Sequence, residues 1–182
     1  MTLMPVTKVC KRRDSMPDSL SFEMEKDLLV KGWMSHDARW FMAVAEHFGI
    51  ESANRLNQIV ARELGRVEMK RLMKVLTLSP PKNMEEYLNL KKAALSLYGR
   101  DLAEYEIRVL DTQSYTIHMK RCFAYENIVR AGIKEQYECG IFARLQGWMD
   151  AQGLEHKLTP PLGKCMKVLG KECCYTVELQ FK

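Results

Sequence analysis

A chain of 182 residues with 47% hydrophobic and 28% charged residues has the make-up of a globular protein with one core, which excludes a chain disordered overall or a repeat array. The net charge of +5 is spread along the chain, with Lys11-Arg12-Arg13 as the one dense run; the basic face with interleaved aromatics that nucleic-acid binders use is missing, and no nucleic acid is expected as a partner. No apolar run reaches the ~18 residues of a membrane span, and no apolar stretch follows the basic N-terminus as a secretory signal requires, so no membrane partner is expected and the compartment is expected to be the cytosol.

Residues 1 to 21 carry Pro5, Pro17, scattered charge and no periodicity, and are expected to form a loose tail in which Lys11-Arg12-Arg13 is solvated. Residues 22 to 182 read as one α+β domain, with a helical layer over 22 to 100 and a sheet-and-helix unit over 101 to 182. A short helix is expected over 22 to 30, ending near Gly32, and a second over 33 to 48, started by Ser35 or Asp37 and stopped by Gly49. Trp33, Trp40, Phe41, Val44 and Phe48 recur at helical spacing and are expected in the core. A long helix over 51 to 78 carries Ala53, Leu56, Val60, Leu64, Val67, Leu72 and Val75 as its expected buried stripe, closed by Pro80-Pro81. Asn83 is expected to cap a fourth helix over 84 to 98.

The period then changes to two. Tyr105, Ile107 and Val109 alternate with Glu104, Glu106 and Arg108, and Tyr115, Ile117 and Met119 alternate with Ser114, Thr116 and His118, which predicts a hairpin with one wet face. A short helix over 123 to 131 and an apolar helix over 137 to 152 follow. Residues 154 to 162 are expected to be extended and at an edge because of Pro160-Pro161. A second hairpin is expected from 164 to 169 and 173 to 181, with Cys173, Tyr175, Val177, Leu179 and Phe181 facing the core.

Six cysteines in a reducing compartment read as core packing, metal ligands or reactive thiols rather than a disulfide frame. Five lie between Cys122 and Cys174 at wide intervals, so only the fold can gather them. Cys122, Cys139, Cys165 and Cys174 are the candidate metal set, with zinc the expected ion, because four thiolates suit a closed tetrahedral site. Buried cysteines that merely pack as small hydrophobes fit the same pattern. Cys139, at the start of its apolar helix, is the candidate nucleophile, since backbone N–H groups there favour a thiolate. His36 sits on an apolar stripe between Trp33 and Trp40, and Glu68 sits on a core stripe between Leu64 and Leu72. A carboxylate there needs a partner. His36 is expected to meet Glu68 or Asn57; with Glu68 it would give a His–carboxylate pair able to orient a base, ligate a metal or fix helix register, and Arg66 and Arg71 are alternative partners for Glu68.

The run Glu138-Cys139-Gly140-Ile141-Phe142-Ala143-Arg144 and the later Cys165, Gly170 and Cys174-Tyr175 resemble the end of 4-vinyl reductase domains. That resemblance implies an α+β fold shared with haem-NO-binding domains and TRAPP vesicle-tethering subunits. Arg121-Cys122-Phe123-Ala124-Tyr125-Glu126 with Glu138-Cys139, Cys165 and Cys174-Tyr175 is similar to the L-2-amino-thiazoline-4-carboxylic acid hydrolase family and its uncharacterised cytosolic relatives. Phe123 stands where that pattern has proline. The likeness implies a small-molecule ligand or metal site lined by cysteines. Alternatively it implies a hydrolase opening a cyclic amidine or thiazoline C–N bond, with Cys139, His36 and Glu68 as its catalytic groups. The TRAPP likeness implies a third reading, a homodimerising interaction module pairing through helices.

Overall fold

The computed structural model describes residues 20–98 and 102–181, so Cys10 and Lys11-Arg12-Arg13, with nearly all of the expected tail, lie outside the described residues. Helix α1 (Phe22–Phe48) starts at Ser21, whose Oγ accepts the Met24 N–H at 3.3 Å. It runs through Gly32 without a break, where two helices were expected. A glycine inside a helix costs about 1 kcal/mol against alanine but leaves the backbone ladder intact, and chain beyond Gly32 that is itself helix-forming carries the element on. Ser35 and Asp37 therefore start nothing. Gly49, at φ 84°, makes the turn into α2 (Ile50–Leu76), and left-handed Thr77 closes that helix. Asn83 caps α3 (Met84–Ser96) as expected, accepting the Glu86 N–H at 2.9 Å, while Glu86 accepts the Lys82 N–H at 2.9 Å.

Strands β1 (Ala103–Val109) and β2 (Ser114–Cys122) form the expected antiparallel hairpin. Its turn is fixed by Asp111, whose carboxylate accepts the Gln113 N–H at 2.8 Å and the Ser114 hydroxyl at 2.6 Å. Helix α4 (Phe123–Arg130), a single 3₁₀ turn (Lys134–Gln136), α5 (Ile141–Ala151), β3 (Glu155–Thr159) and β4 (Cys174–Gln180) complete the chain. The sheet order is β1-β2-β4-β3, antiparallel throughout.

Two expectations in this half are corrected. The apolar helix begins at Ile141 rather than 137, because Tyr137 is extended and Glu138 pairs with Lys164. Residues 164 to 169 make only that bridge and then coil through turns, so β4 pairs with β2 and β3 instead of forming a hairpin with them. Strand β3 lies at the sheet edge, as the prolines after it implied.

One sheet face carries the core. Tyr115, Ile117, Met119, Tyr175, Val177 and Leu179 are buried against Phe142, Leu145, Trp148 and Met149 of α5 and Tyr87, Leu90 and Ala94 of α3. The rings of Phe142 and Tyr175 are 4.0 Å apart. Helix α2 crosses α5 so closely that a Cβ on Gly147 would stand 2.0 Å from the Arg62 carbonyl oxygen, and one on Gly65 would stand 2.2 Å from that of Arg144. Helix α1 lies antiparallel to α2: its Trp33 and the Glu68 of α2 both meet Arg144, while its Phe41 meets Tyr137, whose neighbour Glu138 donates its backbone N–H to Asn54 of α2.

The outer helices differ from expectation most. Of α1 only Val44 is buried, and Trp40 and Phe48, expected in the core, face outward. On α2 the expected stripe is split: Ala53 is buried, whereas Val60, Val67 and Val75 are exposed. Both helices carry apolar residues around more than one face, and one core covers only one of them. Among the described residues no helix is long and apolar enough to cross a membrane.

Candidate functional site

The three catalytic candidates stand apart. His36 is turned to water, its side chain 74% exposed, with Asp37 3.6 Å away. It meets neither Glu68 nor Asn57, because α1 presents Trp33 and Phe41 inward and carries His36 on the adjoining face. Asn57 instead touches Gly140 and Tyr137. Glu68 does have the partner its position demanded, but that partner comes from α5. Arg144 forms a two-pronged ion pair with it, with Nε to Oε2 at 2.8 Å and Nη2 on Oε1. The Tyr98 hydroxyl donates to Glu68 at 2.6 Å, and Trp148 Nε1 donates at 3.2 Å. The Arg144 guanidinium lies between the rings of Trp33 and Tyr98, at 4.5 and 4.4 Å. This knot joins α1, α2, α5 and the residues after α3, and within it both Glu68 oxygens, the Tyr98 hydroxyl, Trp148 Nε1 and two Arg144 nitrogens are bonded. Burial and the Glu68 contact push the Tyr98 hydroxyl upward against the pull of Arg144, so it stays protonated.

Beside it Asp150 takes Arg62 Nε at 2.7 Å and Arg66 Nε at 3.0 Å, and Arg66 also pairs with Glu63. Burial works to raise the Asp150 carboxyl; the Arg62 bond and the charges of Arg62, Arg66 and His156 outweigh it and hold the group below the usual carboxylate range. The His156 side chain is shielded beside this cluster, with Nδ1 3.2 Å from the Leu154 carbonyl. Asn54 fastens the extended stretch before α5, donating to the Gln136 carbonyl at 2.7 Å and accepting the Glu138 N–H at 3.0 Å.

Four thiols share one neighbourhood where α4, the stretch before α5 and the loop before β4 converge. Cys122 feels the charge of Cys165, Cys139 that of Cys122 and Cys173, and Cys173 that of Cys122 and Cys165. Cys173 takes the place expected of Cys174, which is half-buried on the other face of β4. Among the described residues no three His, Cys, Asp or Glu side chains are arranged to hold a metal ion.

Burial pushes the Cys139 thiol up to about 12, despite the amides of Phe142 and Ile141 at the start of α5, and Cys122 and Cys173 push the same way. The Cys173 thiol is likewise pushed up to about 12 by burial and by Cys122 and Cys165. A protonated, buried thiol is a poor nucleophile. In native protein at pH 7.5, Cys139 is therefore expected to resist iodoacetamide and to alkylate only on unfolding, as mass spectrometry of digested protein would read. Fast native labelling of Cys139 would show an open, activated thiol.

The exposed feature is apolar. Phe22, Leu29 and Trp40, spaced to fall on one side of α1, are 74%, 75% and 55% exposed, and Val60, Val67 and Val75 line α2 in the same condition. Their helical spacing was legible; the face they would occupy was not. Arg144 was the overlooked residue, and its signal was present: a lone cation on an apolar helix, answering a lone carboxylate on the stripe of α2.

The architecture is α+β, helices over an antiparallel four-stranded sheet, and a solved structure shares this fold. A crystal structure of a trafficking protein particle complex subunit 3 from Naegleria fowleri, covalently bound to palmitic acid, matches with a TM-score of 0.56 at 14% identity, over 87% of this chain and 96% of that one. No curated protein matches the sequence. Residues 19–159 match the family of unknown function DUF6125, and the chain belongs to that family.

Proposed function

We propose that the protein is an interaction module that pairs with a second copy of itself through the outward faces of α1 and α2. One observation carries this reading: a helix of 27 residues buries Val44 alone while holding Phe22, Leu28, Leu29, Trp40 and Phe48 in water. Monomers seldom expose apolar patches beyond a few hundred Å². A stable pairing covers about 800 Å² on each partner, a size that two long helices supply. The Naegleria protein is named as a subunit of a complex, which supports assembly on this architecture. The proposed compartment is the cytosol, where the free thiols stay reduced.

A cysteine-lined ligand or metal site has less support, because burial holds Cys139 and Cys173 protonated and the described residues lack a metal-holding arrangement. Ring-opening hydrolysis has less again, since Cys139 has for neighbours Cys122 and Cys173 rather than His36 or Glu68.

Sedimentation velocity tests the pairing. The native protein is expected to sediment as a dimer at about 10 μM, and Leu29→Glu/Trp40→Glu as a folded monomer with an unchanged far-ultraviolet spectrum. A native monomer at 100 μM, or a dimer that survives the double substitution, would refute it.

A further inference from the structure

Lys91 is the one charged residue under a tenth exposed among the described residues, at 1%. It sits mid-way along the buried side of α3, with Met84, Tyr87, Leu90 and Ala94. Its Nζ donates to the Tyr115 hydroxyl of β2 at 2.6 Å, and the hydroxyls of Tyr115 and Tyr87 share a bond at 2.8 Å. The Tyr115 and Tyr87 rings lie 4.5 and 5.7 Å from the nitrogen. No carboxylate among the described residues pairs with it; Glu68, on the neighbouring α2, is committed to Arg144, Tyr98 and Trp148. Helix α2 brings the apolar Met69, Leu72 and Met73 to this core, and β1 brings Tyr105 and Ile107.

An ammonium offers three donors and a full charge, and one hydroxyl oxygen and two ring faces meet it here. A neutral amine fits that surrounding; a cation without a counter-charge does not.

We propose that Lys91 makes the docking of α3 on the sheet proton-sensitive, the helix being held when the amine is neutral and loosened when it takes up a proton.

Burial alone moves the amine from 10.5 down to about 7. The titratable groups facing it stay neutral over this range, because burial raises both Tyr87 and Tyr115, and Tyr105 on β1 is raised the same way. The direction follows from proton counting. With α3 undocked, Lys91 meets water and keeps its proton up to about 10.5; docked, it loses the proton at about 7. The undocked form therefore binds more protons between these values, and docking strengthens as pH rises through that window. Tyr98, just past the end of α3, carries the effect into the Arg144 knot.

Hydrogen exchange on the full chain tests this, with rates corrected for intrinsic pH dependence and peptides of α3 compared with those of α5. From pH 8.5 to pH 6 the protection of α3 is expected to fall by about thirtyfold relative to α5. In Lys91→Met, which keeps the shape and removes the charge, the ratio should be flat with pH. A flat ratio in the native protein, or an unchanged slope in Lys91→Met, would overturn the proposal. Should that variant fail to fold, carbon-13 lysine resonances of the native protein decide. One that contacts the Tyr115 ring and titrates near neutrality supports the switch, and its titration above pH 10 sinks it.

Discussion

Gly147→Ala is expected to lower the unfolding free energy by about 3 kcal/mol, the upper part of the range for overpacking a close-packed contact. The added Cβ would meet the Arg62 carbonyl oxygen at 2.0 Å, its carbon at 2.9 Å and the Arg66 nitrogen at 3.0 Å. All three are backbone atoms of α2, so no side chain can swing aside, and two whole helices have to part. Helix propensity alone predicts the opposite sign, since alanine is favoured over glycine by about 1 kcal/mol. Urea denaturation thus separates the two effects. Gly32→Ala is the control: nothing lies within 4 Å of its new Cβ, and it is expected to stabilise by a few tenths to 1 kcal/mol. A Gly147→Ala protein as stable as the native one would mean that α2 and α5 do not cross at this point.

Glu68→Ala is expected to cost a similar amount, about 3 kcal/mol. Four bonds end on this carboxylate, from Arg144 twice, Tyr98 and Trp148. Its removal leaves the Arg144 guanidinium largely shielded from water with two rings and a hydroxyl around it but no negative charge. Removing the cation as well, in Glu68→Ala/Arg144→Leu, should restore a good part of the loss, because the stranded charge and not the missing pair is the expensive item. Denaturant titration of the four proteins in this cycle gives the coupling directly. Equal costs that simply add would show that the carboxylate and the guanidinium do not act as a unit.

The fold was legible where a local pattern had one interpretation. Alternation at Tyr115, Ile117 and Met119 and at Tyr175, Val177 and Leu179 has only one way to bury its residues, and all six are buried on the inner sheet face. The Asn83 cap was equally plain, because its chemistry is settled within four residues. The helical layer was harder. Trp40, Phe48, Val60, Val67 and Val75 have the spacing of core residues, and nothing local says that the core is already filled by α3, α5 and the sheet. The sequence pattern sets Cys139 at the start of the apolar helix; the Glu138–Lys164 bridge that keeps it ahead of that helix is a contact between distant parts of the chain. The same distance hid the true partner of Glu68. His36 and Arg144 were both available to it in the sequence, and only the crossing of α2 over α5 chooses between them.

The guanidinium held between two aromatic rings also supplies an optical readout. The chain has three tryptophans. Trp33 lies on that cation and Trp148 is buried beside Glu68, whereas Trp40 stands largely in water. In the unpaired chain, selective excitation of the indoles therefore yields one red-shifted, easily quenched emitter on the outer surface and two less accessible ones at the junction of the helices. Acrylamide access to Trp40 reports on whatever covers α1, and the colour of Trp33 reports whether the first half of that helix is seated, both without attaching a dye.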